Sequence, residues 1–359
     1  MVRSDRPQKE NTNMKRRKKT ILLLYSILLA AFSVYFLLDT FVIERVYSAE
    51  VPAAQSAQTG SAATSGEGSG NASATEGAGS TDTARGSADS SETPDPQSGS
   101  TEVTGSDGVF TTAAIPVITE DSYDDGNISI KITEYRQNDT TIYAADIQLS
   151  SAEYLKTALA KGVFGRNVTA KTSATASEND AILAVNGDYY GSQERGYVIR
   201  SGVLYRSTAV SGRQDLVIYE DGSMEVIYET DISAEELLAK GARDVLSFGP
   251  ELLKDGKIAV NSSYEVAKAT NSNPRTAIGI IDDLHYVFLV SDGRTSESAG
   301  LSVYELAEFL QSLGVKTAYN LDGGGSSTMY FNGQVINDPV GGGRGQSERS
   351  VSDIVYIGY

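Results

Sequence analysis

The sequence contains no cysteine, no tryptophan and a single histidine, His285. Without cysteine the chain forms no disulfide and offers no thiolate as a nucleophile or metal ligand. One histidine excludes a multi-histidine zinc site and argues against a Ser-His-Asp triad. Any catalysis therefore depends on carboxylates, hydroxyls, amides and arginines.

Positive charge is also scarce. The 359 residues include 30 Lys and Arg against 47 Asp and Glu, which gives a formal net charge of -17. Such an acidic chain repels nucleic acid, so we expect no nucleic-acid partner. Its length fits one large domain or two small ones.

The N-terminal residues have the pattern of a membrane anchor. A basic tail, 1–20, contains "KRRKK" and precedes the uncharged apolar run from Ile21 to Leu38. A helix needs about 17–25 such residues to cross a bilayer. Because positive charge stays on the cytoplasmic side, we predict a single-pass anchor over 21–43 in the cell membrane, with the C-terminal domain extracellular. A cleaved signal peptide is the alternative, since "YSAEVPAA" follows the run.

The composition changes abruptly between Ala49 and about Gly108, where aromatic residues, leucine and isoleucine are absent. A segment of this kind buries too little apolar surface to offset its ordering entropy. We therefore predict a disordered linker over 44–109, rich in Gly, Ser, Ala and Thr, with a root-mean-square reach of roughly 40–45 Å. Such a linker would hold the C-terminal domain away from the membrane.

Residues 110–359 have the patterns of a folded domain rich in strands. Apolar and polar residues alternate in "NISIKITEYRQNDTTIYAADIQL", "GYVIRSGVLYR" and "QDLVIYEDGSMEVIYE", which predicts three hairpins. "AILAVNG", "RTAIGIIDDLHYVFLVSDGR", "KTAYNLDGG" and "RSVSDIVYIGY" predict further strands.

Three stretches of the same domain predict helices. The pairs Ser233 with Glu236 and Ser302 with Glu305 have the spacing of capping boxes, and "SAEYLKTALAKG" has apolar residues at helical spacing. The fold class is therefore α+β: a single domain with a mixed β-sheet, hairpins and a few packed helices, preceded by a transmembrane helix and a linker.

Four stretches place polar side chains beside glycine or proline at the ends of apolar strands: "AVNGDYY", "NPRTAIG", "VSDGR" and "NLDGGGSSTM". Each one alone is typical of ordinary turn chemistry. Together, four such stretches in one domain favour a shared cleft.

The last stretch has the most chemical content. Asp322 follows an apolar strand, and Gly323, Gly324 and Gly325 then allow a ligand to approach the main chain, with N–H groups that could form an anion-binding nest. Ser326 and Ser327 could donate hydrogen bonds to sugar or phosphate oxygens. No lysine follows the glycines, which argues against a phosphate-binding P-loop. Carboxylates and arginines without histidine point to glycosidic or phosphate-ester chemistry in an extracytoplasmic hydrolase or binding protein.

From about Ile128 to Tyr359 the chain resembles the phosphodiester glycosidase family, in particular its bacterial exopolysaccharide branch. The resemblance rests on "VNGDYY", "SFGPELLKDGK", "NPRTAIG", "SDGR" and "NLDGGGSS". It implies a phosphodiester glycosidase-like domain over 110–359, similar to alpha-N-acetylglucosaminidases, that cleaves the bond between a sugar anomeric carbon and a phosphodiester. It also implies a catalytic Asp322, with further site residues Asn186, Asn320, Arg275, Asp292 and Arg294.

The chain departs from the family pattern after Asn186-Gly187, where Asp188 and Tyr189 replace a glycine-aromatic pair. Asp188 is a second catalytic carboxylate or a specificity feature, and Glu251 is another candidate acid. Arg349, after "PVGGGRGQSE", is a flap residue that closes over substrate or a plain loop residue.

The predicted function is hydrolysis of a sugar-1-phosphodiester in cell-wall or exopolysaccharide metabolism, with Arg275 and Arg294 holding the phosphate. A non-catalytic polysaccharide-binding module and a sugar-phosphate transferase are the alternatives. The expected partners are a sugar-phosphate or polysaccharide substrate and, through the N-terminal helix, the membrane. The sequence requires no cofactor, and the metal is unknown; Ca²⁺ or Mg²⁺ at Asp188, Asp292 or Asp322 is compatible with it.

Overall fold

The structure is a computed structural model that describes residues 7–49, 115–263, 272–341 and 347–359. These residues contain four α-helices: α1 (Pro7–Phe41), α2 (Thr172–Glu178), α3 (Ala234–Ala239) and α4 (Val303–Ser312). Their strands are, in chain order, β1 (Arg45–Val46), β2 (Val117–Ile118), β3 (Ser122–Asp124), β4 (Ile128–Gln137), β5 (Thr140–Leu149), β6 (Leu155–Leu159), β7 (Gly165–Arg166), β8 (Leu183–Asn186), β9 (Val198–Arg200), β10 (Val203–Arg206), β11 (Gln214–Tyr219), β12 (Met224–Tyr228), β13 (Ala242–Leu246), β14 (Glu251–Lys254), β15 (Lys257–Ile258), β16 (Arg275–Asp282), β17 (His285–Ser291), β18 (Thr317–Asn320), β19 (Met329–Phe331), β20 (Gln334–Val335) and β21 (Asp353–Ile357).

The described strands pair into antiparallel sheets. The largest sheet has the order β15-β14-β18-β16-β17-β5-β4-β3-β2, and two five-stranded sheets have the orders β20-β19-β8-β21-β6 and β10-β9-β13-β11-β12. The short strands β1 and β7 form a separate pair. The prediction of a strand-rich α+β fold is confirmed, but the predicted mixed sheet is wrong: the paired strands of the described residues run antiparallel, as hairpins and their neighbours do. Most of the predicted linker, from 50 to 109, lies outside the described residues, as do residues 1–6 of the predicted tail.

The predicted hairpins are present because their turns carry residues suited to reversal. Asn138 and Asp139, between β4 and β5, both have positive φ (52° and 51°), which matches the twist of the flanking strands. Gly202 and Gly222 supply the same backbone region in the β9–β10 and β11–β12 hairpins. These hairpins therefore follow from local sequence.

Residues 155–159 correct one prediction. The expected helix in "SAEYLKTALAKG" is wrong: its middle is β6, with single 3-10 turns on either side. β6 pairs with β21, where Leu155 lies opposite Ile357 and Leu159 opposite Asp353. So short a segment fits a buried strand as well as a helix, and here the pairing with β21 decides.

The largest sheet is covered on both faces, and this arrangement places the site. Along β17, Val287 and Leu289 pack toward α4, whereas Phe288 and Val290 pack in a core shared with β8 and β21. Both hydrogen bonds of the predicted capping box at the start of α4 are present. The largest sheet, which contains β18, therefore packs against the five-stranded sheet that contains β8. Both strands end in polar residues, and these ends lie close together.

Candidate active site

The ends of β8 and β18 meet through the fully buried side chain of Asn186. Its Nδ2 donates to the backbone oxygen of Asp322 at 2.7 Å, and its Oδ1 accepts from Thr276 Oγ1 at 2.8 Å. The Asp322 N–H in turn donates to Gly187 O at 3.3 Å. These bonds join three of the four polar stretches predicted to share a cleft, and the fourth joins them through Arg294, which donates to Asn273 Oδ1.

Asp322 has a carboxylate held by three donors. Gly323 N donates to Oδ1 at 2.9 Å, while Ser326 Oγ and Arg349 Nη2 donate to Oδ2 at 2.6 and 2.8 Å. The Asp322 side chain is 16% exposed and that of Arg349 is 47% exposed. The carboxylate is therefore held in a defined orientation while a molecule in the cleft can still reach it.

Arg349, which the sequence analysis left as a flap or loop residue, lines the same cavity as Asp322. Besides the Asp322 contact, its Nε and Nη2 donate to Ser326 Oγ at 2.8 and 2.5 Å. Both interpretations, a flap residue over substrate and a loop residue, stay predictions, and the contacts show only that the side chain meets the Asp322 carboxylate. The sequence shows only that Arg349 follows a glycine-rich segment. This pattern does not predict which carboxylate the arginine contacts.

A cavity of about 580 Å³ opens beside this carboxylate. Its walls include Asp322, Arg349, Asp188 and two aromatic residues, Tyr189 and Phe248. The two rings pack edge to face, with centroids 4.9 Å apart and planes at 76°. An acid, an arginine and an aromatic wall are suited to a ligand that combines a sugar ring with an anionic group.

Asp188 lines the same cavity, but its carboxylate is occupied by protein donors. Tyr190 N donates to Oδ1 at 2.8 Å, and Ser247 N and Arg200 Nη2 donate to Oδ2 at 2.8 and 2.9 Å. Its residue exposure is only 1%. These contacts are those of a group that fixes the cavity wall, and they place the predicted second acid close to the site.

Arg200 joins Asp188 to a second buried carboxylate. Its Nε and Nη2 donate to Asp353 Oδ2 at 2.8 and 2.5 Å. Burial, followed by the charge of Asp188, raises the pKa of the Asp353 carboxyl to about 7. One arginine therefore serves two buried acids, a network that the sequence reasoning missed because its members are far apart in the chain.

The glycines after Asp322 are needed for close packing. A Cβ on Gly323 would lie 2.9 Å from Pro274 O, one on Gly324 would lie 2.9 Å from Arg294 Nη2, and Gly324 has a φ of 63°. The N–H of Gly323 donates to Asp322 Oδ1 and that of Gly324 to Pro274 O. The predicted anion nest therefore lacks two of its donors.

Gly325 is equally confined: a Cβ there would lie 2.8 Å from the Gly341 Cα. Asn320 and Ser327, both predicted to bind substrate, are fully buried. Asn320 Nδ2 donates to Gly249 O at 2.8 Å, whereas within the described residues the Ser327 hydroxyl has no hydrogen-bond partner. Asn320 and Ser327 lie behind the residues that line the cavity, because their burial keeps them from direct contact with a ligand.

The two predicted phosphate-binding arginines flank the glycine run. Arg275 is 3% exposed and its Nε donates to Leu301 O at 2.9 Å. Burial, followed by the charge of Arg294, lowers its pKa to about 10. Arg294 is exposed, and its Nε and Nη2 donate to Asn273 Oδ1 at 3.0 and 2.8 Å. The cavity wall formed by described residues contains Arg349 and neither of these two arginines.

Two further predicted carboxylates are largely enclosed. Asp292 Oδ1 accepts from Asp338 N at 2.8 Å and from Asn337 Nδ2 at 3.1 Å, and burial raises its pKa. Glu251 opens β14 next to the cavity-lining Pro250, and burial raises its pKa as well. Neither carboxylate belongs to the described cavity wall.

The described part of the chain has few side chains placed to bind a metal ion. Those residues contain no group of three or more His, Cys, Asp and Glu side chains placed to hold an ion. At Asp188 and Asp292 a cation would have to compete with the hydrogen bonds described above. A divalent ion at Asp188, Asp292 or Asp322 stays a prediction.

Comparisons with known proteins show which family the chain belongs to. The family model of the phosphodiester glycosidases matches residues 179–358, and the chain belongs to this family. The "SPbeta prophage-derived uncharacterized protein YomE" of Bacillus subtilis is 32% identical over 201 residues, which is 55% of this chain and 31% of that protein.

Two animal relatives have a stated activity. The N-acetylglucosamine-1-phosphodiester alpha-N-acetylglucosaminidase of Mus musculus is 30% identical and covers 44% of this chain, and that of Homo sapiens is 30% identical and covers 47%. The matched region spans about a third of each animal protein, 33% and 36%. Membership of the family therefore supports a hydrolase. The specific activity of the animal proteins is not carried over, because only about a third of their length is matched.

A solved structure supports the fold. The catalytic domain of the zebrafish N-acetylglucosamine-1-phosphodiester alpha-N-acetylglucosaminidase, auto-inhibited by its pro-peptide, superposes with a TM-score of 0.53 at 21% identity. The match covers 65% of this chain and 83% of that one. At this identity the likeness shows a common fold.

Proposed function

We propose that the cavity beside Asp322 hydrolyses the bond between the anomeric carbon of a sugar and a phosphodiester. The observation that carries the proposal is the Asp322 carboxylate, bound to Arg349 at 2.8 Å on the wall of a 580 Å³ cavity. Membership of the phosphodiester glycosidase family supports the reaction class. The proposed sugar is N-acetylglucosamine, because the animal relatives carry that activity in their names.

In this reaction Asp322 acts as nucleophile or as general base for water at the anomeric carbon. The C1–O bond to phosphate breaks, and its electron pair leaves with the bridging oxygen on the phosphate monoester. Water supplies the oxygen and one proton of the new anomeric hydroxyl, and its second proton passes to the phosphate monoester or to solvent. A phosphate monoester is a weakly basic leaving group, so one carboxylate with arginine support suffices. Asp188, tied to Arg200, positions the wall.

Arg349 takes the role that the sequence reasoning gave to Arg275 and Arg294. It is half exposed and already at the acid, whereas Arg275 is buried. Its fork of N–H donors can bind the phosphodiester while it keeps contact with Ser326 Oγ. The aromatic pair Tyr189 and Phe248 gives the sugar ring an apolar surface.

The proposed location is the outer face of the cell membrane, with a role in cell-wall or exopolysaccharide metabolism. Lys19–Asp39 is long and apolar enough to cross a bilayer, with a mean hydropathy of 2.5, although a signal sequence meets the same criterion. The contacts of residues 43–47 with the folded domain support an uncleaved anchor, because cleavage after them would remove a paired strand.

The direct test is release of N-acetylglucosamine from its alpha-1-phosphate methyl ester by the full chain in detergent, with Asp322→Asn alongside and each run with and without chelator. Turnover by the wild type alone supports the hydrolase and Asp322, and its loss with chelator would establish a metal. Sugar-phosphate binding without turnover in either protein would contradict hydrolysis and favour a binding module. Turnover only when an alcohol acceptor is added would favour the transferase.

A further inference from the structure

The chain that follows the apolar helix is part of the folded domain. In β1, Arg45 pairs with Arg166 and Val46 with Gly165 of β7, and Tyr47 N donates to Phe164 O at 2.9 Å. Gly165 is required for this approach, since a Cβ there would lie 2.1 Å from Arg45 O. The contact is thus specific backbone pairing.

Side chains reinforce the pairing on both sides. Lys161 Nζ donates to Glu44 Oε1 at 2.5 Å, and the rings of Tyr47 and Phe164 are 6.0 Å apart. Phe164 also stacks on Tyr190, with centroids 5.2 Å apart. Because Tyr190 N donates to Asp188, the strand is continuous with the wall of the cleft.

One cleft residue touches this segment directly. Asn167 lines the cavity, and its Nδ2 donates to Ile43 O at 3.0 Å. Ile43 lies four residues after Asp39, the end of the apolar span, and four residues reach at most about 14 Å. The rim of the cleft lies well inside this limit, because Asn167 Nδ2 also donates to Asp39 O at 3.5 Å, at the end of the apolar span.

The length and surface of this segment agree with such a position. The span Lys19–Asp39 is about 31 Å long as a helix, close to the thickness of a bilayer core. Val42, Val46 and Tyr47 beyond it are exposed, by 62%, 62% and 45%. Apolar residues and tyrosine are the side chains favoured at a membrane interface.

We propose that residues 43–47, with β1 at their centre paired to β7, hold the cleft at the bilayer surface, so that the site acts on sugar 1-phosphodiesters whose phosphate carries a membrane lipid. The inference rests on the proposed function and on the proposed membrane span. It replaces the expectation that the head stands off on a linker with a reach of roughly 40–45 Å. The described residues before and after 50–114 form one compact unit.

Cross-linking tests the strand. The chain has no cysteine, so Arg45→Cys with Arg166→Cys creates the sole thiol pair in the full-length protein reconstituted in vesicles. Cα atoms of facing strand residues lie within disulfide range. Mild oxidation should close this pair and leave the control, Arg45→Cys with Lys131→Cys, reduced. Equal cross-linking of both pairs, or of neither, would overturn the docked strand.

Turnover tests the substrate class. The probes are two alpha-N-acetylglucosamine 1-phosphate esters: the soluble methyl ester and the hexadecyl ester in phosphatidylcholine vesicles that contain the full-length protein. Tyr47→Pro removes the N–H that bonds Phe164, and Tyr47→Ala keeps it. We expect Tyr47→Pro to lower turnover of the hexadecyl ester by about tenfold, through lost effective concentration, and to leave the methyl ester unchanged.

The outcomes separate the two proposals. Equal turnover of both esters by the wild type, or equal losses for both with Tyr47→Pro, would overturn the lipid substrate while leaving the glycosidase intact. No turnover of either ester by the wild type would contradict the proposed function, and with it the lipid substrate. The cross-linking result would then still decide where the strand lies.

Discussion

Replacing Asp322 by asparagine removes one negative charge and keeps the side-chain shape. The substitution disturbs the ion pair with Arg349, which is 47% exposed, and the hydrogen bond from Ser326. A half-exposed pair and one hydrogen bond together contribute about 1–2 kcal/mol to the free energy of unfolding. Since each kcal/mol lowers Tm by roughly 2–4 °C in a domain of this size, the expected loss of stability is modest.

The expected loss of activity is much larger. Removing a general base or nucleophile typically lowers the rate by about 10²–10⁴, which is roughly 3–5 kcal/mol in the barrier. If Asp322 served the fold alone, activity and stability would fall together. The comparison of kcat/KM with Tm therefore separates a catalytic acid from a structural one.

The assay measures kcat/KM on the methyl ester and Tm by calorimetry for the full chain. Asp283→Asn is the matched control, because it removes the same charge from an exposed turn between β16 and β17. We expect the control to retain wild-type activity and stability. An Asp322→Asn protein with near-wild-type kcat/KM would refute the assignment, as would one whose activity loss is fully explained by unfolding.

Three further outcomes follow from the same contacts. Arg349→Lys keeps the charge and loses the fork that binds both Ser326 and the acid, so we expect kcat/KM to fall about tenfold at unchanged Tm; an equal activity for lysine would show that charge alone suffices. Burial raises the pKa of Asp353 to about 7 from an unfolded value of 3.8, so its stabilising contribution is complete below pH 3.8 and is lost as the pH rises to 7. The stability of the wild type relative to Asp353→Asn should therefore decline between pH 4 and 7 in calorimetric scans, and a flat difference would contradict the raised pKa. Leu306→Ala in α4 empties a fully buried site and should cost about 2–5 kcal/mol in denaturant unfolding; a loss under 1 kcal/mol would mean that α4 does not form the cover of the large sheet.

Local sequence was sufficient for elements whose signals lie within a few residues. The capping box of Ser302 and Glu305 predicted the start of α4, and Gly314, with a φ of 81°, follows its end. Asn138 and Asp139 predicted the turn of the first long hairpin. The same reasoning failed at 155–159, because so short a segment fits a strand as well as a helix, and its pairing with β21 decides.

The sequence likewise predicted one part of the candidate site and did not predict another. The motif around Asp322 was readable because an acid, three glycines and hydroxyls are adjacent in the chain. The contact with Arg349 was not, since the two residues are separated by 27 positions and the spacing carries no signal. The role of the glycines also changed: the backbone oxygen of Pro274 leaves no room for a Cβ on Gly323, and Gly324 has a positive φ of 63°.

By itself the sequence determined the chemical repertoire of this protein, its apolar N-terminal span, the local hairpins and caps, and the family to which it belongs. These properties depend on composition and on residues a few positions apart. Tertiary structure alone decided that Arg200 joins Asp188 to Asp353, that Arg349 meets Asp322, and that β1 packs against β7 beside the cleft. Such contacts are set by the pairing of distant strands, whose register is established only when the apolar faces of the sheets are buried together.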